Sequence, residues 1–291
     1  MSRIAYVNGS YVPHTHAHVS VEERACQFAD AVYEVIALMA GKLIDADRHF
    51  DRLIRSLIEL KIRPPLSQGA FSIILSEIVR RNRLTNGMVY IQVSRGVAPR
   101  YHGFPPASTP PGIIFTARHH DFEAAIQRAL RGLKGITLPD IRWGRPDIKT
   151  VCLLPNTLAK QQALEAGAFE AIFVNKDGYV TEGSATNVWV VDKGGTLRTH
   201  PLSQAILGGV TRERLLEIAL SAKIPVQETA FTRDDLYQAQ EVFTSGSVSG
   251  ISSLVVVDGH PIGSGQVGPI TTFLIQQYQK LTIGKEGGNI S

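Results

Sequence analysis

Two residues set about thirty positions apart could do demanding chemistry in this chain. Lys149 stands in Asp147-Ile148-Lys149-Thr150, and Glu182 in the turn-like stretch Val180-Thr181-Glu182-Gly183-Ser184-Ala185-Thr186-Asn187-Val188. A lysine amine forms a Schiff base with an aldehyde, and a carboxylate can keep a pyridine nitrogen protonated. Both jobs together suit pyridoxal 5′-phosphate. A solvated lysine and a capping glutamate are the alternative for residues of these types.

The elements around this pair read as mixed strand and helix. Asn8-Gly9 between Tyr6-Val7 and Tyr11-Val12 predicts a two-residue hairpin, and Phe28–Ile36 leads into a β-type run through Leu38. Phe50, Leu53, Ile54, Leu57 and Ile58 fall at helical spacing, as do Phe71, Ile74, Leu75, Ile78 and Val79, with Pro64-Pro65 between the two runs. Strands are expected at Met88–Val93, Gly112–Ala117 and around Gly135–Trp143. Helices are expected near Asn156–Ala166, closed by Gly167, near Thr211–Ala222 and near Ile270–Leu281. Hairpin turns fall at Gly41-Lys42, Asp177-Gly178, Gly194-Gly195 and Asp258-Gly259, and Gly284–Ser291 reads as a frayed tail. The absence of regular βαβ alternation favours an α+β or mixed α/β fold. The expected organisation is a smaller domain over 1–118, a linker at 119–121 and a larger, cofactor-binding domain over 122–291.

Composition narrows the class. A chain of 291 residues, 44% hydrophobic, can bury a sizeable core and divide into two domains. Thirty Lys+Arg against 26 Asp+Glu leave a small surplus without a basic run, which argues against nucleic acid. His14, His16 and His18 alternate, as on one face of an extended segment, and no further metal ligands accompany them. Cys26 and Cys152 form no CxxC, so a reduced, cytoplasmic compartment is expected. No secretory h-region or span of ~20 apolar residues is present, so a soluble protein is expected. GxGxxG after a strand and GxxxxGK[ST] are both missing, which argues against dinucleotide and P-loop sites.

Other segments could bind anions. Leu207-Gly208-Gly209-Val210-Thr211-Arg212 precedes a helical run, so its backbone N–H groups and hydroxyl could cradle a phosphate. Equally, Gly208-Gly209 could be a loop and Thr211 a helix cap. Ser245–Gly250 supplies further donors or is an ordinary turn. Arg52 lies off the apolar stripe of its helix with Arg48 and Arg55, where solvation is the default and a phosphate the alternative. Arg100 and His102, two apart in a Pro/Gly-rich loop, point the same way if extended and could grip a carboxylate.

The ordered set Tyr33-Glu34-Val35, Asp51-Arg52-Leu53, Asp147-Ile148-Lys149, Thr181-Glu182-Gly183-Ser184 with Asn187-Val188, and Gly209-Val210-Thr211-Arg212 resembles the fold-type IV pyridoxal-phosphate aminotransferases, from Tyr6 to about Ile262. Within them, Ser94-Arg95-Gly96 with Pro99-Arg100-Tyr101-His102 and Phe104-Pro105 looks like the D-amino-acid aminotransferase pattern. The resemblance implies a two-domain α/β fold, a homodimer and a ping-pong transamination from a D-amino acid (D-alanine, D-glutamate or similar) to 2-oxoglutarate or pyruvate. It implies that Lys149 forms the Schiff base and carries a proton. Glu182 meets the pyridine nitrogen and Leu207 the ring. Arg52, Gly209, Val210, Thr211, Ser247 and Val248 hold the phosphate end, while Tyr33, Arg100 and His102 take the substrate carboxylate.

Some residues depart from that pattern. Gly250 stands where many relatives carry an acid, Ser252-Ser253 replaces Thr-Pro, and Gly208 takes a position often held by Lys. Gly246-Ser247-Val248 looks closer to the branched-chain enzymes, so a branched-chain L-amino-acid aminotransferase is the rival reading. A catalytically silent anion-binding protein is the rival from another class.

Overall fold

The computed structural model describes residues 3–283; the expected tail Gly284–Ser291 lies outside them. The chain forms two compact units. One comprises the residues up to Asp121 together with Ile148–Cys152, and the other Phe122–Asp147 together with the residues from Leu153 onward. The expected boundary puts Lys149 in the second half of the chain, whereas its five-residue segment groups with the first unit. Backbone pairing explains this: the Tyr33 N–H donates to the Lys149 carbonyl (2.9 Å) and the Val151 N–H to the Ala31 carbonyl (3.1 Å).

In the first unit, β1 (Ile4–Val7) and β2 (Ser10–Pro13) form the hairpin. Asn8 and Gly9 both have positive φ, as its two-residue turn requires. After the short helix α1 (Arg24–Phe28) come β3 (Ala31–Met39), β4 (Lys42–Leu43), α2 (Ala46–Glu59), α3 (Gln68–Asn82), β5 (Gly87–Ser94) and β6 (Ile113–His119). Among the described residues these six strands make an antiparallel sheet in the order β2-β1-β6-β5-β3-β4. Leu53 and Leu57 of α2, and Phe71, Leu75 and Ile78 of α3, bury against Val32, Ile36, Ile91 and Phe115. The helical spacing read from the sequence thus becomes the packed face, except that Ile58 is exposed.

The second unit carries α4 (Phe122–Arg131), β7 (Leu133–Pro139), α5 (Leu154–Glu165), β8 (Glu170–Val174), β9 (Val180–Gly183), β10 (Asn187–Val191) and β11 (Leu197–Thr199). It continues with α6 (Val210–Ser221), β12 (Val226–Glu228), α7 (Arg233–Gln238), β13 (Glu241–Gly246), β14 (Gly250–Val257), β15 (His260–Pro261) and α8 (Pro269–Ile283). Its sheet is mixed, with β7 parallel to β8 and β14, β11 parallel to β12, and antiparallel pairing elsewhere. Trp189, Leu215, Phe243 and Leu274 centre one core beneath α6 and α8. Neither α4 nor α7 is anticipated by the sequence reading, although Thr232 and Asp235 form a capping box at α7.

The histidines correct another expectation. His14–His16 form one 3-10 turn after Pro13, so alternate residues do not share a face. All three histidines are exposed. Among the described residues, no group of His, Cys, Asp and Glu is arranged to hold a metal.

Candidate active site

The first unit holds Lys149 beside β3. Its backbone N–H approaches Ser56 Oγ at 3.4 Å, and its Nζ lies 4.1 Å from the centroid of the Tyr33 ring. The amine therefore rests on an aromatic face. Tyr33 stacks on Tyr90 at 5.7 Å. The Tyr90 phenol is pushed up to about 12, first by burial and then by Tyr33, and donates to Gln92 Oε1 at 2.8 Å.

Alternation along β3 sends Glu34 to the other face, toward α2. Arg52 donates Nε to Glu34 Oε1 at 2.7 Å and Nη2 to Oε2 at 2.8 Å, a bidentate fork. His49 Nδ1 approaches Oε2 at 2.7 Å and carries the proton, because an ionised carboxylate only accepts. Glu34 is fully buried. That burial pulls its carboxyl upward, but the charge and hydrogen bonds of Arg52, with those of His49, win and hold it well below the usual carboxylate range. Arg52 is thus held by Glu34 and is not the solvated arginine of the default reading. Glu34 stands in the Tyr33-Glu34-Val35 motif, yet the sequence reading gives it no role.

Arg100 and His102 meet over one ring in the loop between β5 and β6. The Arg100 guanidinium lies 4.9 Å from the Phe28 centroid, and the His102 ring 5.3 Å from it. Both side chains are exposed.

In the second unit, Glu182 is the penultimate residue of β9, its side chain 9% exposed. Its Oε2 accepts from the Leu207 N–H at 2.9 Å and from Asn187 Nδ2 at 3.3 Å; Oε1 accepts from Arg142. Arg142 also forks onto Asp140 (2.9 and 2.6 Å) and donates to the Ala205 carbonyl. Thr181 Oγ1 donates to Asp140 at 2.8 Å. Burial is the largest influence on Glu182 and raises its carboxyl above the ordinary value, with Arg142 and the Leu207 N–H pulling the other way. Asp140 ends below its ordinary value, because the Arg142 hydrogen bond and charge, with the Thr181 hydroxyl, outweigh its burial. The sequence reading missed Arg142. Its only signal was the run of Asp and Arg residues between positions 140 and 147, ahead of Lys149.

The remaining predicted contacts gather around Asn187. Its Nδ2 donates to the Leu207 carbonyl at 2.8 Å, and a Cβ on Gly209 would run into its Oδ1. Gly209 is the N-cap of α6 and brings no side-chain cap, so the first-turn N–H groups face outward from the helix end. Val210 and Thr211 open the helix, with Thr211 buried inside the first turn; it does not cap. Asn187 pairs with Ser245 across β10 and β13. The turn carrying Ser247 and Val248 therefore joins β13 to β14 at the strand end nearest Ala185 and Thr186. Buried Glu170 holds the segment between β9 and β10 by accepting from Ser184 Oγ (2.5 Å) and Thr186 Oγ1 (2.9 Å).

This donor set fits pyridoxal phosphate. A helix N-terminus without a side chain at its cap suits a phosphate dianion, and a side chain at Gly209 would fill the cradle. Across Asp140, Arg142 and Glu182 two carboxyl groups share one guanidinium, which leaves room for a cationic ring nitrogen.

Comparison with known proteins agrees. The model of the amino-transferase class IV family matches residues 31–256. A D-alanine aminotransferase from Staphylococcus haemolyticus is 37% identical over 275 residues, 94% of this chain and 96% of that protein. Among solved structures, a branched-chain amino acid aminotransferase from Escherichia coli has a TM-score of 0.89 at 25% identity, covering 100% of this chain and 98% of that one. A second branched-chain amino acid aminotransferase, from T.th. and solved with N-(5'-phosphopyridoxyl)-L-glutamate, has a TM-score of 0.87 at 27% identity, covering 98% and 96%. The chain belongs to the class IV aminotransferases and is a pyridoxal-phosphate-dependent aminotransferase.

Proposed function

We propose that this enzyme moves the amino group of a D-amino acid, such as D-alanine or D-glutamate, to 2-oxoglutarate or pyruvate. The observation that carries this reading is the identity to D-alanine aminotransferase along nearly the whole chain. The convergence of Arg100 and His102 on the Phe28 ring supports it, because it places two cationic or donor groups side by side for a carboxylate.

When bound, pyridoxal phosphate acts as an electron sink that lets an amino acid lose its Cα proton. Lys149 is the group that would hold its aldehyde covalently, and as a free amine it would carry the proton. Glu182, kept in place by Arg142, the Leu207 N–H and Asn187, would hold the ring nitrogen protonated, with Leu207 against the ring. Arg52, Gly209, Val210, Thr211, Ser247 and Val248 would take the phosphate. Tyr33, Arg100 and His102 would fix the substrate carboxylate, and so decide which Cα–H bond is presented to the lysine. The expected state is a homodimer in the cytoplasm. The free thiols Cys26 and Cys152 suit a reducing compartment, and among the described residues no helix is long and apolar enough to cross a membrane.

A branched-chain L-amino-acid aminotransferase is the second reading, favoured by the solved structures and by the Gly246-Ser247-Val248 turn. Mixing the yellow holoenzyme with D-alanine or with L-leucine separates the two. D-Alanine is expected to bleach the visible band; bleaching by L-leucine alone would overturn the D-assignment. A homodimer is expected on size-exclusion chromatography with light scattering, and a monomer in the active preparation would overturn that part.

A further inference from the structure

Three arginines lie around the loop that carries Arg100 and His102, and they are used differently. Arg24 is buried on α1, its side chain 4% exposed. It donates Nε to Asp30 Oδ2 and Nη1 to the Tyr101 carbonyl, both at 2.8 Å. Arg95 forks onto both oxygens of the same Asp30 (2.8 and 2.9 Å), donates to the carbonyls of Leu60 and Lys61, and places its guanidinium 3.7 Å from the Phe104 centroid. Arg100 is exposed, and among the described residues its guanidinium contacts only the Phe28 ring.

Tyr101 is the residue between Arg100 and His102, so its carbonyl is the loop's point of attachment at the clamp itself. Phe28 is shared by Arg24, Arg100 and His102: the Arg24 guanidinium is 4.6 Å, the Arg100 guanidinium 4.9 Å and the His102 ring 5.3 Å from its centroid. The root of the loop is tied to this segment by backbone bonds from Arg24 N–H to Gly96 and from Ala98 N–H to Glu22. Desolvating two guanidiniums for one carboxylate is a poor device for stability. What the arrangement does hold is the backbone at Tyr101.

We propose that Arg24, oriented by Asp30, and Phe28 are positioning residues that set the substrate-carboxylate clamp: Arg24 fixes the backbone between Arg100 and His102, and Phe28 is the platform on which both side chains lie. This rests on the reading that Arg100 and His102 bind the substrate carboxylate. A lysine cannot replace Arg24 fully, because one ammonium lacks the planar fork that reaches Asp30 and Tyr101 together.

The test is steady-state kinetics of the holoenzyme with D-alanine, with propionate as a competing carboxylate. Arg24→Gln is expected to raise KM and the propionate inhibition constant together by about tenfold or more, since small misplacements of a binding group carry penalties of that order. The kcat should stay within about twofold, with cofactor absorbance and cofactor affinity unchanged, and Arg24→Lys should fall between Gln and the native residue. In an Arg100→Ala background, Arg24→Gln should add much less than it does alone, because both act through one clamp and only His102 remains for Arg24 to position. Arg100→Ala raising KM while Arg24→Gln does not would overturn the proposal and leave the clamp standing. Full additivity of the two would also overturn it. No effect of Arg100→Ala would remove the clamp reading itself, and the proposal with it. Should Arg24→Gln not fold, Phe28→Leu keeps the Arg24–Asp30 pair and removes the ring; an unchanged KM there would overturn the proposal.

Discussion

At Glu182 and Glu34, burial of the same side chain has opposite outcomes. Glu34 receives a bidentate guanidinium and an imidazole N–H, and its carboxyl is driven down; Glu182 shares Arg142 with Asp140, and burial wins. The signs of their pH effects are therefore opposite. The stability that Glu34 contributes is complete above its unfolded value near 4.3 and is lost as pH falls toward its depressed folded value. Glu34→Gln should thus lower stability at neutral pH and flatten the acid limb of a denaturant-unfolding series; an unchanged limb would show that Glu34 is not ionised in the fold. Glu182 instead penalises the cofactor-free fold as pH rises through its unfolded value, so Glu182→Gln should lessen the stability lost on going toward neutrality. Removing Arg142 leaves buried Glu182 and partly buried Asp140 without their cation. Arg142→Leu is expected to cost about 3–5 kcal/mol in unfolding experiments and to weaken cofactor binding. A loss below about 1 kcal/mol would mean that Thr181, Leu207 and Asn187 suffice to hold the carboxylates. Borohydride reduction followed by peptide mapping should find the cofactor mass on Lys149 alone; label elsewhere would end the assignment.

Elements place these residues by small devices. The α6 N-terminus is usable because Gly209 caps it without a side chain and nests against Asn187, which in turn holds Leu207 and Glu182. One substitution should therefore disturb both ends of the cofactor. Gly209→Ala pushes Asn187 off its partners and is expected to raise the cofactor dissociation constant at least about tenfold, the scale of one lost charged hydrogen bond. Absorbance titration of the apo-protein checks it, and unchanged affinity would show that the loop gives way without cost. The glycine pair and the helical run were legible in the sequence. Whether Thr211 caps the helix was not. It depended on whether the hydroxyl turned to the cap or into the core, and Thr211 is buried.

For the whole molecule, each unit has its own core. Leu57 is completely buried among the α2, α3 and sheet residues of the first unit, a cluster that also includes Ile148, the neighbour of Lys149. Leu57→Ala should cost about 2–5 kcal/mol through lost transfer and the cavity left behind. Calorimetry of the apo-protein measures it, and a change under about 1 kcal/mol would mean that the site collapses around the smaller side chain.

The local code settled most elements. Asn8-Gly9 and Asp258-Gly259 are turns because few residue pairs adopt positive φ at both positions, Gly178 supplies the one positive φ after Asp177, and the helices at positions 46–59 and 68–82 follow from apolar spacing alone. Ordered motifs likewise pointed to the lysine, the glutamate and the cofactor chemistry. Long-range pairing decided the rest: that Ile148–Cys152 lies along β3, that Arg142 rather than the ring alone serves Glu182, and that Glu34 governs Arg52. Periodicity reports which face of a segment is apolar, but a buried charge finds its partner only when distant segments are brought within hydrogen-bond reach.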